Sequence, residues 1–224
     1  MFQIKKNVIP NISDYESKIK ELSVATVHEV LGKKNAMSSQ IRPIFRNEKV
    51  FGTAITVKTG PADNLMLIKA ISMAEQGQII VLDCGDTLEA GPFGEVLATE
   101  CKSRGIKALI TNGSIRDSQQ IRELNFPVYS KGISVRGTTK AESGLINHPI
   151  SCGGVIVNPG DIILADEDGV VVFDQNILSE VIEKSFVRED KERKVMDELK
   201  NGRSLFDIYG YQDMIDKLGV KEEK

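Results

Sequence analysis

Residues 51–83 constrain the fold more than any other stretch of the chain. FGTAITVK at 51–58 alternates and is β-branched, which predicts a strand. Gly60-Pro61-Ala62-Asp63 turns it into a helix over 64–76, with Asp63 as the expected N-cap and Gly77 as the stop. Leu65, Ile68 and Ile71 or Ser72 mark its expected buried stripe, with Met66 and Met73 as core filler. QIIVLD at 78–83 is then a nearly continuous apolar strand. A helix between two such strands is a βαβ unit, so a buried and partly parallel sheet is expected.

Elsewhere the signals are shorter. Residues 14–22 and 24–31 predict two helices, the second capped by Ser23 and stopped at Gly32. A Gly-rich loop leads to a helix opened by Gly94-Glu95, a strand at 108–111 and a loop closing on Arg116-Asp117. A helix at 118–124 and a strand at 127–130 come next. Apolar runs at 154–157, 162–165 and 170–173 are separated by Asn158-Pro159-Gly160-Asp161 and Asp166-Glu167-Asp168-Gly169, which predicts two antiparallel hairpins. The acids of those turns lack the spacing of a calcium loop. From about residue 176 a long charged helix runs to about 201, and a helical tail covers 204–218. Few apolar residues line the long helix, which suits a surface laid on a neighbouring subunit. No linker, repeat or low-complexity segment divides the chain, so one α/β domain over 1–224 with a C-terminal helical extension is expected.

Several function classes fall away on composition. Charged residues make up 27% with a net charge of −3, which gives no nucleic-acid or membrane surface. The apolar runs are too short to span a bilayer and no signal segment opens the chain, so a cytoplasmic protein is expected. Three cysteines without metal-type spacing suit free thiols, and two histidines do not make a zinc site. His28, inside a short helix, is better read as packed or solvated than as functional. Neither GxxxxGK[ST], GxGxxG nor GxSxG occurs, which removes phosphate-loop and nucleophile-elbow chemistry. Lys58 and Lys131 read as solvated strand-end charges rather than as Schiff-base lysines.

The chemistry that remains sits in 91–117. Glu95 and Arg116 have twenty residues between them, an interval filled by a helix and a returning strand, so the ends can meet. One acid then faces an Arg-Asp pair across a pocket floored by free helix amides, a plausible seat for a small carboxylate and a hard cation.

At these residues the chain resembles a known family. GEVLA at 94–98, Arg116-Asp117, FPVYSKG at 126–132, VNPGDIILADEDGVVVF at 157–173 and REDKE at 188–192 are similar to the RraA-like family, over about 23–210. Within it the class II 4-hydroxy-4-methyl-2-oxoglutarate, or 4-carboxy-4-hydroxy-2-oxoadipate, aldolases are most alike. The resemblance implies an α/β/β/α swivelling-type fold with a mixed sheet, in homotrimers or homohexamers with sites at subunit contacts. It implies a divalent ion, Mg²⁺ or Mn²⁺, held by Asp117 largely through water, with Glu192 as the acid given by an adjacent subunit. Arg116 would bind the keto-acid end of a 2-oxo acid, the amides of Gly94, Glu95, Val96 and Leu97 its carboxylate, and Glu95 a catalytic water.

The implied reaction is metal-dependent release of pyruvate from a 4-hydroxy-2-oxo acid, with oxaloacetate decarboxylation at the same site. Two positions depart from the pattern: Thr111 and Gln120 stand where relatives often carry acids. The family also contains regulators of RNase E and its partners, which is the alternative reading. An older methyltransferase label finds no methyl-donor loop here.

Overall fold

The computed structural model describes residues 3–46 and 49–220. Helices α1 (Glu16–Glu21) and α2 (Val24–Val30) open it, followed by strands β1 (Arg42–Pro43) and β2 (Val50–Lys58). The segments α3 (Leu65–Met73), β3 (Gln78–Asp83), α4 (Glu95–Ser103), β4 (Ala108–Thr111), β5 (Ser114–Ile115), α5 (Ser118–Glu123) and β6 (Val128–Ser130) make the α/β part. Then come β7 (Gly132–Ile133), β8 (Leu145–Ile146), β9 (Ile150–Cys152), β10 (Val155–Val157), β11 (Ile162–Ala165) and β12 (Val170–Phe173). The chain ends in α6 (Leu178–Lys200), α7 (Leu205–Tyr209) and α8 (Gln212–Lys217).

The main sheet runs β1-β6-β4-β3-β2-β11-β12, with β8 pairing beside β2. Pairs β2–β3, β3–β4 and β4–β6 are parallel, while β2–β11 and β11–β12 are antiparallel. The expected βαβ unit is therefore present and the sheet is mixed. One face of β2–β4, through Ile55, Val57, Ile80, Leu82 and Leu109, packs on α3, α4 and α5. Their other face, through Ala54, Ile79, Val81 and Ile110, packs on the β9–β10 hairpin and on Ile163 and Val172. The outer face of the β11–β12 end, Leu164, Val171 and Phe173, is covered by α1, α2 and the start of α6. The sheet curls so that its inner faces pack together between two helical layers, the α/β/β/α arrangement implied by the resemblance. Because both faces of β3 are buried, its sequence shows a continuous apolar run rather than alternation.

Three expectations need correction. Helix α3 stops at Met73, since Ala74 is extended, and its buried residues are Met66, Leu67, Ala70 and Ile71, while Leu65 is 42% exposed. The stripe is rotated because the helix packs on β2, β3 and β8 and against α4 at once. The first predicted hairpin does not form: β10 pairs back onto β9, and β11 pairs with β2 instead. The turn between them, held by the Asn158 amide donating to Asp161 Oδ2 at 2.7 Å, carries the chain from one sheet to the other. Lys131 is not solvated; its side chain is 16% exposed and pairs with Asp86.

Ser23 does cap α2, accepting from the Thr26 amide at 3.0 Å. Helix α6 packs its first two turns, Leu178 to Ser185, against α2 and leaves Val187, Met196 and Leu199 exposed. No helix among the described residues is long and apolar enough to cross a membrane.

Candidate active site

The candidate site lies beyond the carboxyl ends of β3 and β4, the edge from which loops of α/β sheets commonly reach ligands. A buried polar network fixes those ends. Asn112 Nδ2 donates to Asp83 Oδ1 at 2.9 Å, and Asn112 Oδ1 accepts from the Cys84 amide at 3.0 Å. The Gly113 amide donates to Thr111 Oγ1 at 3.1 Å, and Cys84 Sγ lies 3.5 Å from the same hydroxyl. Burial pushes the Cys84 thiol up, which keeps it a neutral packing group. Thr111 is committed to this support, whereas Gln120 is exposed in the first turn of α5.

On this base the 91–94 loop presses against Arg116 and Asp117. The Arg116 amide donates to Phe93 O at 2.9 Å, and the Gly91 amide donates to Arg136 O at 2.9 Å. A Cβ at Gly94 would lie 2.4 Å from Asp117 Oδ2 and 3.0 Å from Arg116 Cγ, and one at Gly91 would lie 2.8 Å from Arg116 Cβ. Only hydrogen at these positions permits the approach.

Asp117 occupies the left-handed region at φ 54, ψ 38, which costs an ordinary L-residue about 1–2 kcal/mol. It stands at the N-cap position of α5, yet its side chain makes no cap there. The carboxylate turns instead to α4, where Oδ2 accepts from the Glu95 amide at 3.1 Å, with Arg116 Nε 3.6 Å from the same oxygen. Helix α4 makes its first i→i−4 bond from Ala98 to Gly94 O at 3.0 Å, so the amides before Ala98 form its positive end. Asp117 occupies one of them. The Glu95 carboxylate has no hydrogen-bond or ion-pair partner among the described residues.

The structure therefore brings together Gly94, Arg116, Asp117 and the α4 amides. It makes of them an open corner rather than an enclosed pocket, with Arg116 and Asp117 side chains 43% and 40% exposed. Glu192 lies on α6, paired with Arg188 Nε at 2.9 Å, and no hydrogen bond or ion pair joins it to the corner among the described residues. No group of three or more His, Cys, Asp or Glu among those residues is arranged to hold a metal, and His28 belongs to none. Asp117 alone is a hard-oxygen donor suited to an ion that keeps most of its waters, as Mg²⁺ does.

Sequence reasoning missed the support of this corner. Asp63 was expected only to cap α3; its Oδ1 accepts from the Leu65 amide at 2.8 Å, while Oδ2 holds the 139–142 segment. The bond of Asn112 to Asp83 has no local signal in the sequence.

A family model described as RraA-like, Aldolase/RraA, matches residues 9–172, so α6, α7 and α8 lie beyond the match. The chain is similar to a protein of Halalkalibacterium halodurans provisionally named 4-hydroxy-4-methyl-2-oxoglutarate aldolase, at 32% identity over 188 residues, 82% of this chain and 90% of that one. A solved structure of an uncharacterized protein from Pseudomonas syringae superposes with a TM-score of 0.80 at 21% identity, covering 92% of this chain and 97% of that one. That of Streptomyces coelicolor RraAS2, described as an unusual member of the RNase ES inhibitor RraA protein family, gives 0.75 at 23% identity, covering 84% and 98%. The two structural matches bear on fold alone.

Proposed function

The chain belongs to the RraA-like, Aldolase/RraA family, and from that premise we propose that it is a divalent-metal-dependent lyase releasing pyruvate from a 4-hydroxy-2-oxo acid, with oxaloacetate decarboxylation as a second activity. The observation that carries this reading is the convergence of Arg116, the Asp117 carboxylate and the Glu95 amide at the start of α4. A guanidinium and helix amides suit a 2-oxo acid, whose carboxylate and keto oxygen need a planar donor and a positive end.

In this reading the substrate carboxylate meets the α4 amides of Gly94, Val96 and Leu97, the Glu95 amide being engaged by Asp117, and Arg116 donates to the keto oxygen. Asp117 would hold the Mg²⁺ or Mn²⁺ ion, which would supply positive charge to oppose the charge developing on the keto acid. Its half-exposed carboxylate, already in place at the corner, is the feature of this chain that fits such an ion. Removal of the C4 hydroxyl proton by a water held at Glu95 converts C4 to a carbonyl as the C3–C4 bond breaks. The bond's electron pair moves onto the pyruvate enolate oxygen, where Arg116 opposes the developing charge. Return of the proton to C3 through the same water yields pyruvate. The partnerless Glu95 carboxylate supports that role.

The openness of the corner supports a site completed by a second subunit, with Glu192 of an adjacent copy as the added acid in a homotrimer or homohexamer. The regulator reading has no feature at the corner in its favour and becomes an outcome of the test. Pyruvate formation from oxaloacetate is measured with EDTA, then with added Mg²⁺ or Mn²⁺, and corrected for the metal's own reaction. Protein-dependent activity that requires metal is expected. Its absence would sink the lyase reading and favour capture of RNase E as the next assay.

A further inference from the structure

The amino end of α3 reaches both walls of the Arg116 corner. Asp63 is fully buried, and its Oδ2 accepts from Thr139 Oγ1 at 2.9 Å, the Ala141 amide at 2.6 Å and the Glu142 amide at 3.2 Å. The backbone reinforces this: the Asn64 amide donates to Thr139 O at 3.2 Å and the Thr139 amide to Ala62 O at 2.8 Å. Asn64 reaches the opposite wall, its Nδ2 donating to Pro92 O at 3.0 Å, two residues before Gly94. Asn64 Oδ1 is buried without a partner among the described residues, so the side chain is set by its bond to Pro92.

The segment held by Asp63 runs on to the guanidinium. Its start bonds the site directly, Ser134 amide to Ile115 O at 2.8 Å and Gly91 amide to Arg136 O at 2.9 Å. A Cβ at Gly137 would lie 3.8 Å from Arg116 Nη1. Arg116 therefore stands between a strap, 134–142, and the 91–94 loop, and one dipeptide grips both.

We propose that Asp63 and Asn64 are positioning residues of this site: Asp63 fixes the strap beside Arg116, Asn64 fixes the loop that leads into α4, and together they set the gap that receives a carboxylate-bearing 2-oxo acid. The inference rests on the lyase reading for its substrate class. Its chemistry is specific. Asp63 uses both oxygens as acceptors on opposite sides, so an asparagine there must turn an NH₂ group against either Leu65 or the strap. A misplacement of about 1 Å at a reacting group costs on the order of 100-fold.

The test compares full-length native protein with Asp63→Asn, Asn64→Ala and Thr139→Val. Three quantities are read: amide hydrogen exchange at Ala141 and Glu142, oxalate binding by calorimetry, and kcat and KM for pyruvate release from oxaloacetate. For Asp63→Asn, exchange should quicken and both oxalate affinity and kcat/KM should fall by on the order of tenfold, with oligomer and secondary structure kept. Thr139→Val should shift all three the same way by about threefold, and decides the matter if Asp63→Asn does not fold. Asn64→Ala should weaken oxalate without quickening exchange in the strap.

Faster strap exchange with native oxalate affinity and kcat/KM would overturn the positioning role, and so would unchanged exchange in Asp63→Asn. Should native protein release no pyruvate, the lyase reading fails by itself. Oxalate binding that is lost in Arg116→Ala and weakened in Asp63→Asn would still uphold the inference, and native protein that binds no oxalate would end it.

Discussion

The two ends of the central parallel sheet are built on opposite plans. At the amino end, a cavity of about 290 Å³ is lined by Glu16, Lys20, Lys49, Phe51 and Lys107 among others. Two of its cations are committed internally: Lys49 Nζ donates to Lys20 O at 2.9 Å and to Leu22 O, and Lys107 pairs with Glu16. At the carboxyl end the backbone is what is committed, through Asp63, Asn64, Asp83 and Asn112, and exposed side chains stand upon it. The Glu95 carboxylate has no partner among the described residues, and Arg116 and Asp117 are half-exposed. Cavity volume and available chemistry thus part company. Firm support beneath exposed polar groups is the better guide to a candidate site.

Arg116→Ala and Asp117→Ala should break that contrast most sharply. Each should lower kcat/KM for pyruvate release by roughly 100- to 1,000-fold, the scale of removing one preorganised group from a developing oxyanion, with the oligomer intact by light scattering. A variant with near-native turnover would remove its residue from the mechanism. Gly94→Ala comes next, since its methyl would enter the space of Asp117 Oδ2. About 100-fold loss of turnover is expected from such a displacement, with an ordinary melting curve. Glu95→Gln should reduce kcat by about tenfold or more with little change in KM, and a pure KM effect would contradict its water-holding role.

Acid stability sharpens the comparison further. Burial acts to raise the Asp63 carboxyl, but bonds from Ala141, Leu65, Thr139 and Glu142 prevail and hold it below the ordinary carboxylate range. Its contribution is present above the unfolded-state value and is lost as pH falls through the lower folded-state value. Denaturant titrations below about pH 4 should show this loss in native protein and a flatter pH dependence in Asp63→Asn. At the amino end Glu16 is lowered with the same sign, chiefly by its bond from Lys107, but it is half-exposed. Glu16→Gln should therefore cost under about 1 kcal/mol and leave pyruvate release unchanged. Lost activity there would show that the two ends are coupled.

Much of this was legible in order along the chain. β3 and β4 fall where continuous apolar runs predicted them, α2 begins at its Ser23 cap, and α4 opens at Gly94-Glu95. Those features depend on neighbours within a few residues. The helix that seemed to bury Leu65 does not, because burial depends on which sheet lies beneath it. Apolar runs at 155–157 and 162–165 were visible, but not that the first would pair backwards and the second with β2. At the site, Arg116-Asp117 and Gly94-Glu95 stood out as residue types. That Asp117 would take a left-handed turn and aim at the neighbouring helix left no local signal.

The sequence by itself determined the alternation of strands and helices and the parallel βαβ unit, and it supplied the residue types proposed to carry the chemistry, because periodicity and capping act over one or two turns of chain. Tertiary structure alone decided which strands meet, which faces are covered and how Asp63 and Asn64 reach 76 and 28 residues along the chain to Thr139 and Pro92. Such contacts form only after long loops close, and their partners are chosen by the whole packed core rather than by any stretch within it.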